Sequence, residues 1–393
     1  MPSPSSRLTG IIPSGKDGWE VHFAAMGRRQ AGEDILMLSV GDHDFDTPEP
    51  TVEACVEEVR AGHHHYTQLP GIPALRQAMA DISTRATGVP TSLDQVIATP
   101  GGQAALYTAV QATLDPGDHA IMIAPYYATY PGTFRAAGAD FTVVEAHAET
   151  GFQPDPAAIE AAVRPNTRSI LINTPNNPTG AVYTRKSLEA LADICRAHDL
   201  WLLSDEVYWT LGGADHLSPR SLHDMAHRTL VINSMSKSHG MTGWRIGWLT
   251  GPTDLIHLTI SLNLVSTYGL PDFVSRAATE ALQNDYGVAE IKTRYGARRQ
   301  AFLREVAGMN HVTVRGSEGG MYVMLDVREV EPDSEAFAWA LLEHEKVAVM
   351  PGSSFGEAAE GHIRISLCQP ETVLAEAAAR LKRFVSNYRR AAA

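Results

Sequence analysis

Short apolar runs alternate with helical patterns through the first two thirds of the chain. Residues 96–98, 119–124, 141–144, 169–173, 200–204, 229–233 and 246–249 read as strands. Between them, 103–114, a segment ending at 134–137, 156–163 and 187–198 read as helices. Apolar strands separated by helices imply a mostly parallel sheet covered on both faces. Ligands of such sheets bind beyond the carboxyl ends of the strands. Upstream, the pattern predicts a helix over 19–31, a strand over 35–40, a turn-rich loop over 41–50, a helix from 51, a loop over 63–71 and a helix over 74–87. Downstream, 271–307 reads as one long helical pattern, fit to bridge two domains. A smaller α/β unit follows, with strands at 312–315, 321–326, 347–350 and 362–367 and a helix at 334–343. The last helix, 371–388, carries apolar residues at three- and four-residue spacing and basic residues in its final turns.

Composition sharpens this picture in a few places. A chain of 393 residues exceeds what one core serves. The expected division is an N-terminal arm and part of a small domain (1–45), a large domain (46–280) and a small C-terminal domain (281–393). A net charge of −13 argues against nucleic acid and anionic membrane as partners. Any small anion must therefore be held by local positive groups. Cys55, Cys195 and Cys368 lie far apart, with no disulfide framework or metal spacing, so a reducing cytoplasm is the expected home. No signal-like stretch opens the sequence and no apolar run approaches the ~20 residues of a membrane helix. His63, His64 and His65 are adjacent, so their side chains point apart, and no metal site is expected there.

The chemistry gathers at strand ends. Lys237 sits among Ser234, Ser236 and Ser238, with Arg245 eight residues on. A lysine amine in such a loop can form an imine with an aldehyde while serines and an arginine hold an anion nearby. An ordinary exposed lysine is the competing reading. Gly101 and Gly102, ahead of Gln103 and a helix, let backbone N–H groups face a phosphate, although many helices begin this way merely to turn. Asn173-Thr-Pro-Asn-Asn-Pro-Thr-Gly180 is a rigid loop rich in amide donors, more than a plain connection needs. Asp205, at the end of a strand, suits a protonated ring nitrogen, and Tyr208 lies three residues on; a helix cap is the plainer role for such an aspartate. Tyr127 could stack on a flat ring or be an ordinary half-buried tyrosine. Arg364 lies within an apolar strand, where it needs a partner: a bidentate carboxylate ligand or an internal ion pair.

Taken together and in this order, these motifs resemble the fold-type I, pyridoxal-phosphate-dependent class I aminotransferases, over nearly the whole span from Gly41 to Arg364. The resemblance implies an aspartate aminotransferase-like fold and the cofactor pyridoxal 5'-phosphate. It implies that Lys237 bonds the cofactor, that Asp205 pairs with its ring nitrogen, and that Asn177 and Tyr208 hydrogen-bond its phenolic oxygen. Gly101, Gly102, Gln103, Ser234, Ser236 and Arg245 would surround the phosphate, and Tyr127 would stack on the ring. Tyr66 matches a tyrosine that reaches the neighbouring subunit's phosphate, so a homodimer with shared active sites is implied. Arg364, Asn177 and the Gly41 backbone would grip the substrate α-carboxylate, with Ser14 nearby in the arm. The implied activity is ping-pong transfer of an amino group from an L-amino acid to a 2-oxo acid.

Within the family, Gly-Trp-Glu-Val-His-Phe at Trp19, Leu-Ser-Val-Gly-Asp at Gly41 and Ser-Lys-Ser-His-Gly-Met-Thr-Gly-Trp-Arg at Lys237 are most similar to arginine:pyruvate transaminases. The aspartate-specific branch carries a lysine after its Gly-Gly pair, where this chain has Gln103. His43 replaces a proline common at its position. A guanidinium substrate needs a carboxylate, for which Asp17, Glu20 and Glu318 are the candidates. The alternatives are an aspartate or aromatic aminotransferase, a carbon–sulfur β-lyase using the same constellation, and a non-enzymatic regulator, which would need a DNA-binding segment longer and more basic than the arm before Gly41.

Overall fold

A computed structural model describes residues 2–3, 5–11, 19–213 and 216–392. Thirteen strands occur in it. They are β1 (Leu36–Met37), β2 (Val96–Thr99), β3 (His119–Ala124), β4 (Asp140–Glu145), β5 (Thr167–Asn173), β6 (Trp201–Asp205), β7 (Thr229–Ser234), β8 (Gly247–Thr250), β9 (Thr313–Arg315), β10 (Tyr322–Asp326), β11 (Val347–Ala348), β12 (Met350–Pro351) and β13 (His362–Ser366).

Seven of them form one sheet in the order β2-β8-β7-β6-β5-β3-β4. All run parallel except β8, which is antiparallel to both β2 and β7. The central strands β3, β6 and β7 are buried almost throughout, as a sheet covered on both faces requires. One apolar cluster packs helix Gly102–Thr113 on one face through Ala105, Leu106 and Ala109, and a second packs Arg185–Ala197 on the other through Leu188 and Leu191. The mostly parallel sheet and its two helical layers are as the strand pattern predicts.

A smaller antiparallel sheet, β12-β13-β10-β9, forms the second layer system, with β1 and β11 pairing in parallel beside it. Its core draws on helices Ser334–Glu345 and Glu371–Ala392 and on Tyr295 and Phe302 of the helix Val288–Val306.

Three departures from the sequence pattern have physical causes. The strand expected over 35–40 shortens to β1 because its partner β11 is itself two residues long. Beyond it, Leu38 bonds singly, its N–H to Ala348 and its carbonyl to Ser366. The single helical pattern over 271–307 is two helices, Asp272–Asn284 and Val288–Val306, broken where Asp285 and Gly287 take positive φ of 51° and 78°. A helix at Thr253–Ser266 escaped the pattern, because its apolar residues run around the whole circumference and leave Leu258 and Val265 exposed.

Candidate active site

Register brings the site together. Asn173 at the end of β5 pairs with Asp205 at the end of β6, and Asp205 with Ile232 of β7, two residues before Ser234. The antiparallel β8 then sets Gly247 opposite both Ser234 and Thr99. Gly247 cannot carry a side chain: a Cβ there would lie 2.5 Å from the Gly101 carbonyl carbon and 2.6 Å from the Gly102 nitrogen. The same crowding recurs at Gly101, where a Cβ would meet Arg245 Nη2 at 2.2 Å. The glycines thus let the start of helix Gly102–Thr113 and the Arg245 guanidinium close on one spot. Arg245 itself sits at φ 57°, bonded to the Thr242 carbonyl at 2.9 Å.

These residues line a cavity of about 190 Å³, walled by Gly102, Gln103, Tyr127, Asn177, Asp205, Tyr208, Ser234, Ser236, Lys237 and Arg245 among others. A second cavity, about 260 Å³, shares Tyr127, Asn177, Tyr208, Lys237 and Thr242 with the first and continues to Gly41, Tyr322, Phe355 and Arg364. Lys237 therefore stands at the junction of the two.

Lys237 Nζ donates to the Gly41 carbonyl at 2.5 Å. Burial lowers its proton affinity below that of an ordinary lysine, which favours the neutral, nucleophilic amine. Asp205 is buried and accepts from the Tyr130 hydroxyl at 2.5 Å and from the Val207 N–H at 3.1 Å. Burial pushes its carboxyl up to about 6 despite those donors. A cation entering the cavity would restore its ionised form. Asn177 and Tyr208 meet at 3.4 Å, and Tyr208 lies 3.4 Å from the Tyr322 hydroxyl.

Arg364 is 3 % exposed, in the middle of β13. Its Nη1 donates to Asn177 Oδ1 at 2.9 Å and its Nη2 to the Ser39 carbonyl at 2.5 Å. The guanidinium lies over the Tyr322 ring at 4.3 Å and the Phe355 ring at 4.8 Å. Its buried Nε has no hydrogen-bond partner among the described residues, and no described carboxylate forms an ion pair with it. The internal ion pair that sequence left open is absent there.

Other expected residues fall less centrally. Gln103 lines the first cavity, but its amide is held by Thr133 at 2.9 Å and Thr129 at 2.8 Å. Tyr66 is 87 % exposed with its ring against Tyr268, away from both cavities. Glu20 and Glu318 are exposed and line neither cavity. Asp42 is the carboxylate that does line the second cavity. Ser14 and Asp17 lie outside the described residues. Sequence reasoning missed Tyr130, Tyr322, Phe355 and Ser39. Gly41 gave an indirect signal of Tyr322: a Cβ at that glycine would lie 1.8 Å from the tyrosine hydroxyl.

The arrangement is a lysine amine, a buried carboxyl, a helix start beside a guanidinium, and an arginine with no carboxylate partner among the described residues, all around one cavity system. Its family follows from comparison. Residues 33–381 match the model for aminotransferase class I and II, and the chain belongs to that family. It is 42% identical over 373 residues to an arginine–pyruvate transaminase from Pseudomonas aeruginosa, covering 94% of this chain and 95% of that one. An aspartate/prephenate aminotransferase from Thermus thermophilus is 39% identical over 389 residues, covering 98% and 99%. Among solved structures, a Thermus thermophilus aspartate aminotransferase with maleate superposes with a TM-score of 0.91 at 37% identity, covering 98% of this chain and all of that one. The chain is a pyridoxal-phosphate-dependent transaminase of fold type I. Neither a β-lyase nor a regulator is favoured by these relatives.

Proposed function

We propose that the enzyme moves the α-amino group of L-arginine to pyruvate, with Lys237, Asp205 and Tyr208 as its catalytic residues. The observation that carries the site assignment is Arg364, a buried cation with no carboxylate partner among the described residues, facing the same cavity as Lys237. A buried guanidinium demands an anion, and its planar fork matches a carboxylate. Asn177 and the Gly41 backbone complete this grip.

The residues of the first cavity fit pyridoxal phosphate by donor chemistry. Lys237 would bond its aldehyde, Asp205 would pair with its ring nitrogen, and Asn177 with Tyr208 would face its phenolic oxygen. The helix start at Gly101, Gly102 and Gln103, with Ser234, Ser236 and Arg245, would hold its phosphate, and Tyr127 would lie on its ring. The cradle that a Cβ on Gly101 or Gly247 would fill supports that fit. When bound, the cofactor supplies the electron sink that acidifies the substrate Cα–H. The neutral amine of Lys237 is suited to take and return that proton. Asp205 would hold a positive charge on the ring nitrogen, and burial would strengthen this pairing.

Three features support arginine as donor. A relative of that activity is 42% identical. Gln103 brings no charge to the place where a distal carboxylate would need one. Among the described residues lining the second cavity, Asp42 is the only carboxylate, and the cations are Lys237 and Arg364 alone. A homodimer in the cytoplasm completes the proposal. It is supported by Tyr66, Tyr268, Leu258 and Val265, all large, apolar or aromatic, and exposed, and by three free cysteines.

Two assays test this. Borohydride reduction of the holoenzyme should fix the cofactor on Lys237, and a protein unlabelled at that side chain overturns the site. A donor panel with pyruvate or 2-oxoglutarate as acceptor should favour arginine with pyruvate. Ready turnover of neutral or aromatic donors, with none of arginine, would sink the donor assignment.

A further inference from the structure

His43 stands where the family resemblance leads one to expect proline, and the structure gives that imidazole two partners. Its Nε2 lies 3.0 Å from the Ser236 carbonyl, and its Nδ1 lies 2.8 Å from the Tyr295 hydroxyl. A carbonyl only accepts, so Nε2 carries the proton. In the neutral ring, Nδ1 then accepts from Tyr295. That hydroxyl in turn lies 3.4 Å from Cys368 Sγ, two residues past β13. One unbroken chain of contacts thus runs from the residue before the catalytic lysine to the end of the strand bearing Arg364.

The geometry around it is a two-point clamp. Residues 41–43 meet residues 236–237 twice: Lys237 Nζ donates to Gly41, and His43 donates to Ser236. Beside the clamp, Asp44 is gripped by Arg298 at 2.8 and 2.7 Å, and Phe45 packs on the imidazole with ring centroids 4.7 Å apart. Proline offers no side-chain donor, so it could make neither polar bond of His43.

We propose that His43 is a positioning residue that fastens the Gly41 loop over the base of Lys237 and so shields the Gly41 side of the amine from water. This rests on the assignment of Lys237 as the nucleophile. The groups facing the imidazole are Asp42 and Asp44 on its own loop, Lys237 across the clamp and Tyr295 on the long helix; one step behind them, Arg294 lies over Phe45, and Arg298 and Cys368 lie against Tyr295. Burial, then the Lys237 charge, lowers the imidazole to about 4, so it stays neutral at working pH and its hydrogen bonds keep one direction. Burial is also the largest influence on Lys237, and it acts to lower the proton affinity of the amine. Loosening the loop would admit water and return the amine toward ordinary lysine behaviour.

The test is the pH dependence of Lys237 acylation by a small amine reagent in the full-length, cofactor-free protein, located by peptide mass spectrometry. His43→Phe keeps an aromatic ring and removes both polar bonds. It should slow acylation at neutral pH about tenfold, equivalent to a rise of about one pH unit in the midpoint. His43→Gln, which restores a donor toward Ser236, should recover to within about threefold of wild type. Tyr295→Phe, which cuts only the far end, should slow it about threefold. A His43→Phe rate within twofold of wild type overturns the proposal, as does His43→Gln reacting as slowly as His43→Phe. Should His43→Phe not fold, Tyr295→Phe decides, and a rate within about 1.5-fold of wild type, a shift of about 0.2 pH units or less, overturns it. Failure of the wild type to bind pyridoxal phosphate would instead sink the cofactor assignment and leave this titration readable.

Discussion

Arg298 and Arg364 are both buried, both end near the Gly41 loop, and are built for opposite purposes. Arg298 holds Asp44 through two parallel bonds and adds the Leu367 carbonyl at 3.2 Å. Burial pushes Asp44 up, yet the bonds and charge of Arg298 outweigh it and hold the carboxyl below its ordinary value. That pair is complete and acts as a fastener. Among the described residues, Arg364 has only neutral acceptors and an idle Nε. An incomplete buried charge costs stability, so its retention points to a ligand that completes it. Asp205 follows the second pattern, a buried carboxyl with donors but no cation.

The contrast can be broken in order of effect. On the proposed roles, replacing Lys237 by alanine removes the nucleophile and the base together, so transamination should fall by at least about 10⁴-fold. Circular dichroism and the thermal midpoint of the cofactor-free protein should stay close to wild type. Activity within tenfold would show that another amine does the work.

The two arginines should then separate cleanly. Arg364→Met should lower kcat/KM about 10²- to 10³-fold, the loss of a buried bidentate carboxylate contact of about 3–4 kcal/mol. The cofactor-free protein should be no less stable, because an uncompensated charge leaves with it. Arg298→Met should do the reverse, costing about 1–3 kcal/mol of stability in urea unfolding, because the two bonds to Asp44 and the one to the Leu367 carbonyl go with it. Equal destabilisation by both substitutions would erase the distinction drawn between them.

The smallest effect lies in the pH dependence of Asp205→Asn. The Asp205 carboxyl moves from an ordinary 3.8 to about 6 in the folded chain. The folded state therefore holds that proton more tightly than the unfolded one. Its contribution to stability is fully present below pH ~4 and lost as pH rises through about 6. Without cofactor, Asp205→Asn should be more stable than wild type above that range, by up to about 3 kcal/mol, and equal to it below pH ~4. Adding pyridoxal phosphate should reverse the order, since the wild-type carboxylate then gains a cation. Chemical unfolding at three pH values with and without cofactor measures both.

Much of this was legible in the chain. The apolar runs of β3, β5, β6 and β7 announce a buried parallel sheet because both faces must be covered. Asn173, Asp205 and Ser234 announce a site because they end those strands. The helix at Thr253–Ser266 was not legible, since an apolar residue on every side leaves no period to read. Tyr130 and Tyr322 were not legible either. A tyrosine carries no local sign of its hydrogen-bond partner, and these act through contacts across 75 and 114 residues of sequence.

By itself the sequence determined the strand-and-helix alternation, the family resemblance and the identity of the lysine, aspartate and arginines, because these depend on residue type and on local spacing. Only the tertiary structure decided which charges are satisfied. Sequence marks Arg364 as needing a partner and does not mark Arg298; which of them has a carboxylate depends on what folds back beside it: Asp44 reaches Arg298, and no described carboxylate reaches Arg364. Pairing of buried charge is a property of distance in space, which no one-dimensional pattern carries.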